Sequence, residues 1–167
     1  MLLDLSKIIP NPGASVPFET SLDLSDLEFG GTYPVSEPVA ASGCVRNTAG
    51  VLEMKGSVRT SLHAVCDRCT ESFRRELSFP IDAVLVTDAD SEDYENPWVF
   101  DLQDDSADLD DIVTSVFVLN MPSQLLCRPD CKGLCFRCGA NLNLGPCSCK
   151  AEPDPRFAAL QQFLEKK

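Results

Sequence analysis

The sequence holds a single histidine, His63, and only 14 lysines and arginines against 26 aspartates and glutamates. The lone imidazole falls on the polar side of an alternating run, where an ordinary exposed side chain is expected rather than a general base. Neither a triad nor an acid pair can be assembled around it, so no enzyme and no small-molecule substrate are expected. The formal charge of -12 disfavours wrapping naked duplex with the whole surface. No apolar run approaches the roughly 20 residues of a membrane span, so no membrane partner is expected. The opening residues place Asp4 and then Pro10 where a secretory signal would need its apolar core. A cytoplasmic protein is the expectation.

What is present is globular. A chain of 167 residues with 44% hydrophobic and 24% charged residues reads as one domain with an appended module and enough apolar content for a core. Nine cysteines stand at 44, 66, 69, 127, 131, 135, 138, 147 and 149. Without a secretory signal their thiols are expected to be reduced, which favours metal ligation over a disulfide framework. Eight form tight pairs. Cys44 stands alone and reads as a small buried hydrophobe in a strand.

Leu52, Met54, Gly56, Val58, Thr60, Leu62, Ala64 and Cys66 alternate with Glu53, Lys55, Ser57, Arg59, Ser61 and His63, which predicts a long half-buried strand. The period returns in Phe73, Leu77, Phe79, Ile81, Ala83 and Leu85. The two runs read as an antiparallel hairpin with Cys66 and Cys69 at its tip. Val39, Ala41, Gly43 and Val45 before the turn 47–50 add a strand, and 18–22 another, giving a meander. Pro80 places its strand at an edge or a bulge.

Eleven carboxylates and no lysine or arginine lie between Asp88 and Asp111. This reads as a solvated acidic loop holding an apolar island, Pro97 to Phe100. Leu109, Ile112, Val113, Val116 and Phe117 then follow helical spacing, with acids at the start and Pro122 as a stop. A second, docking helix is expected from Asp154 and Pro155 through Phe157, Leu160, Phe163 and Leu164. The expected fold is α+β: a mainly antiparallel sheet meander with two helices and a C-terminal cysteine-rich zinc module. Its parts are a β-rich domain over 1–87, the acidic linker and amphipathic helix over 88–122, and the zinc module with its docking helix over 123–167.

Six cysteines fall in CRPDCKGLCFRCGANLNLGPCSC (127–149), spaced C-x3-C-x3-C-x2-C-x8-C-x-C. Zinc takes four thiolates at tetrahedral corners about 2.3 Å away, and a C-x-x-C knuckle followed by glycine brings two sulfurs of one tight turn to one ion. Cys135 and Cys138 before Gly139 fit that pattern, and the turn at 141–145 brings Cys147 and Cys149 back to close the site. Cys127 and Cys131 then lack partners, as do Cys66 and Cys69. The economical solution is a second four-thiolate site and two zinc ions. A cross-braced pairing, or one occupied site with spare cysteines, stays open, and a dithiol redox centre at Cys66 and Cys69 is disfavoured by flanking strands.

These motifs together resemble the YceD-like family of large ribosomal RNA subunit accumulation proteins: CDRC (66–69) at a hairpin, an acidic linker, LDDIV (109–113), CRPDCKGLCFRCGANLN (127–143) and DPRFAAL (154–160). The resemblance implies a bacterial or plastid factor needed for 23S rRNA accumulation and hence for the large ribosomal subunit, with no catalytic residues. Beside it, the residues offer their own reading. Arg68, Arg74 and Arg75 flank the first cysteine pair, and Arg128, Lys132, Arg137 and Lys150 surround the others. If the tail docks on the hairpin, these seven cations share one end, suited to RNA phosphates or a large-subunit assembly intermediate. The acidic stretch suits the opposite partner, a basic ribosomal protein held by an adaptor without RNA contact.

Overall fold

The structure, a computed structural model, describes residues 1–87 and 97–149. The alternating runs become strands: β1 (Leu2–Asp4), β2 (Ser15–Leu22), β3 (Val39–Thr48), β4 (Val51–Val65), β5 (Ser72–Val86), β6 (Val99–Asp101) and β7 (Ser106–Asp108), followed by α1 (Leu109–Asn120). Strands β2 to β6 form one sheet in sequence order, and β1 pairs with β7 in a second, two-stranded sheet. The β4–β5 hairpin is the backbone of the molecule, with register running from Leu52↔Leu85 to Val65↔Ser72. Val58, Leu62, Ile81, Ala83 and Leu85 bury the face that the alternation assigns to the core.

Two local devices set the meander. At the β3–β4 turn Ala49 and Gly50 both take positive φ, 54° and 99°, as a two-residue hairpin turn requires. Asn47 anchors that turn from within. Its Nδ2 donates to the Ile8 and Ile9 carbonyls at 2.9 and 2.8 Å, and its Oδ1 accepts from Gly50 N–H at 2.8 Å. Further along, Gly43 faces Gly56 across the two strands. A Cβ on Gly43 would fall on the Lys55 carbonyl and 2.6 Å from Gly56 Cα, so neither position accepts a side chain without moving backbone.

Helix α1 begins where Asp108 caps it, its carboxylate accepting from Asp110 N–H, with Asp110 and Asp111 in the first turn. The stripe Leu109, Ile112, Val113, Val116 and Phe117 is buried. Phe117 sits between Phe29 and Phe79, each with ring centroids 6.0 Å away. Leu5 and Ile8 close the same core from the N-terminal turn. Among the described residues no helix is long and apolar enough to cross a membrane.

Three expectations are corrected. The architecture is mostly β with one helix among the described residues, not an α+β fold with two: only 109–120 realises the helical period there, and the expected second helix, at 154–164, lies outside the described residues. The sheet is mixed rather than purely antiparallel, because β6 pairs parallel with β5, Val84↔Val99 to Val86↔Asp101. The connection over 87–98 has the length of about a dozen residues that a parallel pair requires. Cys44 lies in β3 but is exposed rather than buried; it shares the outward face with Ser42 and Arg46, while Ala41 and Val45 face the core. Pro80 meets its expectation. It pairs with Ser57 on β4, and on the other side of β5 the partner β6 reaches only Val84 to Val86, so the proline sits at an open edge.

Candidate metal centre

The hairpin tip between β4 and β5 is a knuckle. Cys66 N–H donates to Glu71 O at 2.9 Å, Thr70 N–H donates to Cys66 O at 2.9 Å, and Thr70 takes φ 58°. CFRC repeats the construction: Cys135 N–H donates to Ala140 O and Gly139 N–H to Cys135 O, both at 2.8 Å, with Gly139 at φ 72°. Thr70 therefore occupies in the first knuckle the left-handed position that glycine fills in the second. A β-branched residue is uncommon there, which is why the spacing alone reads less clearly at 66–69.

The tail is drawn onto the hairpin by backbone and side-chain bonds. Asp67 N–H donates to Leu125 O at 2.8 Å while Asp67 Oδ2 accepts from Leu125 N–H at 2.6 Å. Leu134 N–H donates to Arg68 O at 3.0 Å. Gly133 approaches so closely that a Cβ there would stand 2.9 Å from the Arg68 carbonyl, and its φ of 73° itself favours glycine.

This docking places Cys66, Cys69, Cys127 and Cys131 in one group and Cys135, Cys138, Cys147 and Cys149 in another, with all four Sγ atoms of each group within 4.8 Å of one another. Cys66 and Cys131 sulfurs are 3.8 Å apart, Cys69 and Cys127 3.6 Å, and Cys135 and Cys147 3.4 Å. Four thiolates about 2.3 Å from a zinc-sized ion form a tetrahedron with edges of about 3.8 Å. Both groups fit such an ion. The first is the more buried, with only Cys127 partly exposed, whereas Cys138 of the second is exposed.

The electrostatics suit a dication. Burial pushes the Cys66 thiol up, but backbone N–H groups of Cys127, Arg68 and Cys69 outweigh it and hold it at about 6. The backbone at Glu71 favours the Cys69 thiolate, yet burial and the sulfurs of Cys66, Cys131 and Cys127 push it up to about 12. In the second group the N–H groups of Cys138 and Arg137 hold Cys135 at about 6, while the Cys138 sulfur and burial push Cys149 up to about 12. Cys131 is also held low, chiefly by the Asn143 side chain, so in each group some thiols ionise readily while crowding by neighbouring sulfur makes further thiolates expensive; a bound divalent cation removes that repulsion.

Sequence spacing does not single out the residues that support these sulfurs. Asn143 joins the ribbon to the first group: its Nδ2 lies 3.3 Å from Cys131 Sγ and its Oδ1 accepts from Lys132 N–H at 2.8 Å. Glu71 Oε2 lies 3.6 Å from Cys69 Sγ. Asn143 and Asp67 carry only the general signal of short polar side chains in turns.

The cations expected to meet RNA divide by how they are held. Arg68 donates to Cys131 O at 3.1 Å, and Arg75 donates to Leu126 O at 2.6 Å with its guanidinium 5.3 Å from the Phe73 ring centroid. Both tie the tail to the hairpin. Arg74 donates to Ser61 Oγ at 2.6 Å and pairs with Glu37 at 2.8 Å, and Arg128 lies 3.6 Å from Asp130. Lys132 and Arg137 are exposed on the ribbon, and Lys150 lies outside the described residues. Six of the seven thus lie on the hairpin or on the tail docked against it. Exposed Asp101 lies on β6, beside Val86, at the far end of a 15-residue strand, on the order of 40 Å from the tip.

Comparison with known proteins gives three findings. The family described as large ribosomal RNA subunit accumulation protein YceD matches residues 54–164. An uncharacterized protein of Mycobacterium tuberculosis is 26% identical over 98% of this chain and 81% of its own length. Two plant proteins, each named large ribosomal RNA subunit accumulation protein YCED homolog 1, chloroplastic, are similar as well: the Zea mays protein is 27% identical over 74% of this chain and 52% of its own length, and the Arabidopsis thaliana protein 26% over 80% and 51%. The match spans about half of each plant protein. No solved structure matches.

Proposed function

The chain belongs to the YceD family of large ribosomal RNA subunit accumulation proteins, and from that premise we propose that it is a non-catalytic, zinc-stapled cytoplasmic factor that binds 23S ribosomal RNA while the large ribosomal subunit is assembled. The observation that carries the reading is the union of hairpin and tail through Cys66, Cys69, Cys127 and Cys131. The reading is supported by the joining of two cation-bearing segments far apart in sequence, at the opposite end of the β4–β5 hairpin from Asp101 on β6. Zinc is the ion this donor set favours: all-thiolate tetrahedral sites are closed and structural, leaving no coordination position for a substrate.

Crosslinking in cells tests the RNA contact. Fragments of 23S rRNA should be recovered with the wild-type chain and lost when Arg74, Arg128 and Arg137, whose contacts among the described residues hold no carbonyl of the tail, are all changed to Gln, with zinc content unchanged. Each lost phosphate contact should lower the salt slope of binding by about one unit.

A second reading rests on the exposed acids Asp101, Asp104 and Asp105, which suit a basic ribosomal protein. Under it, changing these three to Asn removes the partner while the arginine variant keeps it. Asp108 is left out of that set because it caps α1. If both triple variants restore rRNA accumulation in cells lacking the protein, neither charged end is the binding site.

A further inference from the structure

Phe136 is 90% exposed, more than any other large hydrophobic among the described residues. Its place is rigid. Leu142 N–H donates to Gly133 O at 2.9 Å, Leu134 bridges Asn141, and Cys135 N–H donates to Ala140 O at 2.8 Å, so 132–143 is a narrow hairpin with Phe136 and Arg137 at its tip. Cys135 and Cys138 bracket that tip on both sides. The ring serves neither the core nor the sulfurs. The Arg137 guanidinium stands 5.7 Å from its centroid.

The surroundings decide what such a ring meets. Between Cys131 and Cys149 there is no acid, and Lys132 and Arg137 supply two positive charges. Four thiolates around one divalent ion carry a formal -2, so the ribbon comes to about zero in a chain of -12. Exposed Leu144 lines a shallow groove with Lys132, Leu142 and Pro146, and Phe136 does not line it. A single ring with one guanidinium beside it and a lysine further along the same hairpin lacks the contiguous apolar area of a protein interface, but it matches the stacking platforms of single-strand binders, where an aromatic face takes a base and cations along the strand take phosphates.

We propose that Phe136, at the tip of the CFRC knuckle, stacks a nucleobase of single-stranded RNA, with Arg137 and Lys132 contacting the adjacent phosphates. This rests on the RNA reading above and adds to it both the strandedness and the contacting residue.

The test uses the full, zinc-loaded chain, a short single-stranded RNA of mixed sequence, and the same strand annealed to its complement, with binding followed by fluorescence anisotropy at moderate salt. The single strand should bind more tightly than the duplex. Phe136→Ala should weaken single-strand binding about tenfold and leave duplex binding and zinc content unchanged. Phe136→Tyr, which keeps a stacking face, should stay within about twofold of wild type. Arg137→Gln should weaken both probes and lower the salt slope. If Phe136→Ala binds the single strand like wild type, the platform is overturned while the RNA reading stands, and loss of a ribosomal protein from that variant would reassign the ring to a protein contact. Loss of zinc in Phe136→Ala would make the ring part of the fold and overturn the platform too. A wild-type chain that binds neither probe overturns the RNA reading itself.

Discussion

Asn47 shows how much a single side chain carries here. It is 1% exposed and its amide satisfies two carbonyls of the N-terminal turn and one N–H of the β3–β4 turn. In Asn47→Ala these groups lose their partners in a buried site, and an unsatisfied buried polar group costs about 1–3 kcal/mol. Urea unfolding of Asn47→Ala should show stability lower by about 2–3 kcal/mol with an unchanged slope. At Asp108 the effect depends on pH. The backbone N–H of Asp110 holds its carboxyl below the usual carboxylate range, so its contribution is present above the unfolded-state value and is lost as pH falls through the lower folded-state value. Asp108→Ala should therefore cost about 1 kcal/mol near neutral pH, as N-cap losses do. The difference from wild type should shrink toward zero in acid, which thermal melts at the two pH values will measure.

At the scale of elements, α1 and the β4–β5 hairpin meet through Phe117, which is fully buried. Truncating it leaves a cavity that Phe29 and Phe79 cannot fill without moving both β5 and the segment before β3. Phe117→Ala should cost about 3–5 kcal/mol, a large share of a typical domain's stability. The helix was legible in the sequence because five apolar residues at 3.6-residue spacing leave one face to bury. The parallel pairing of β6 was not. Three residues with no alternating partner in sequence carry no statement of direction, and the choice falls to the long connection before them.

For the whole molecule, the two thiolate groups have different reach. The second is built within a single short segment, so it is a local clasp. The first joins residues 58 apart in sequence and thereby holds the tail to the sheet. Two zinc ions per chain are expected on metal analysis of reduced protein. Cys69→Ser should lose about one of them and expose the tail to protease near residues 120–130, because metal binding free energy here is folding free energy. Cys138→Ser should lose the other and open the ribbon near residues 135–149 while Asp67 and Leu125 stay joined. A Cys69→Ser protein that keeps both ions and its protease resistance would remove that cysteine from the ligand set.

The sequence by itself determined the meander, the helical stripe and the knuckles, because periods of 2 and 3.6 residues and the C-x-x-C spacing are local and survive without any long-range contact. It also made plain that eight cysteines come in pairs. Which pairs stand together rested on economy alone, since four pairs can combine in more than one way and sequence distance says nothing about proximity across a hairpin. Tertiary structure decided it through Asp67 and Leu125, Arg68 and Leu134, and the closeness that Gly133 permits. The same docking gave the cations their places. It turned Arg68 and Arg75 inward to hold carbonyls of the tail and left Lys132, Arg137 and the Phe136 ring outside, because a buried carbonyl needs a donor more than an exposed surface needs another charge.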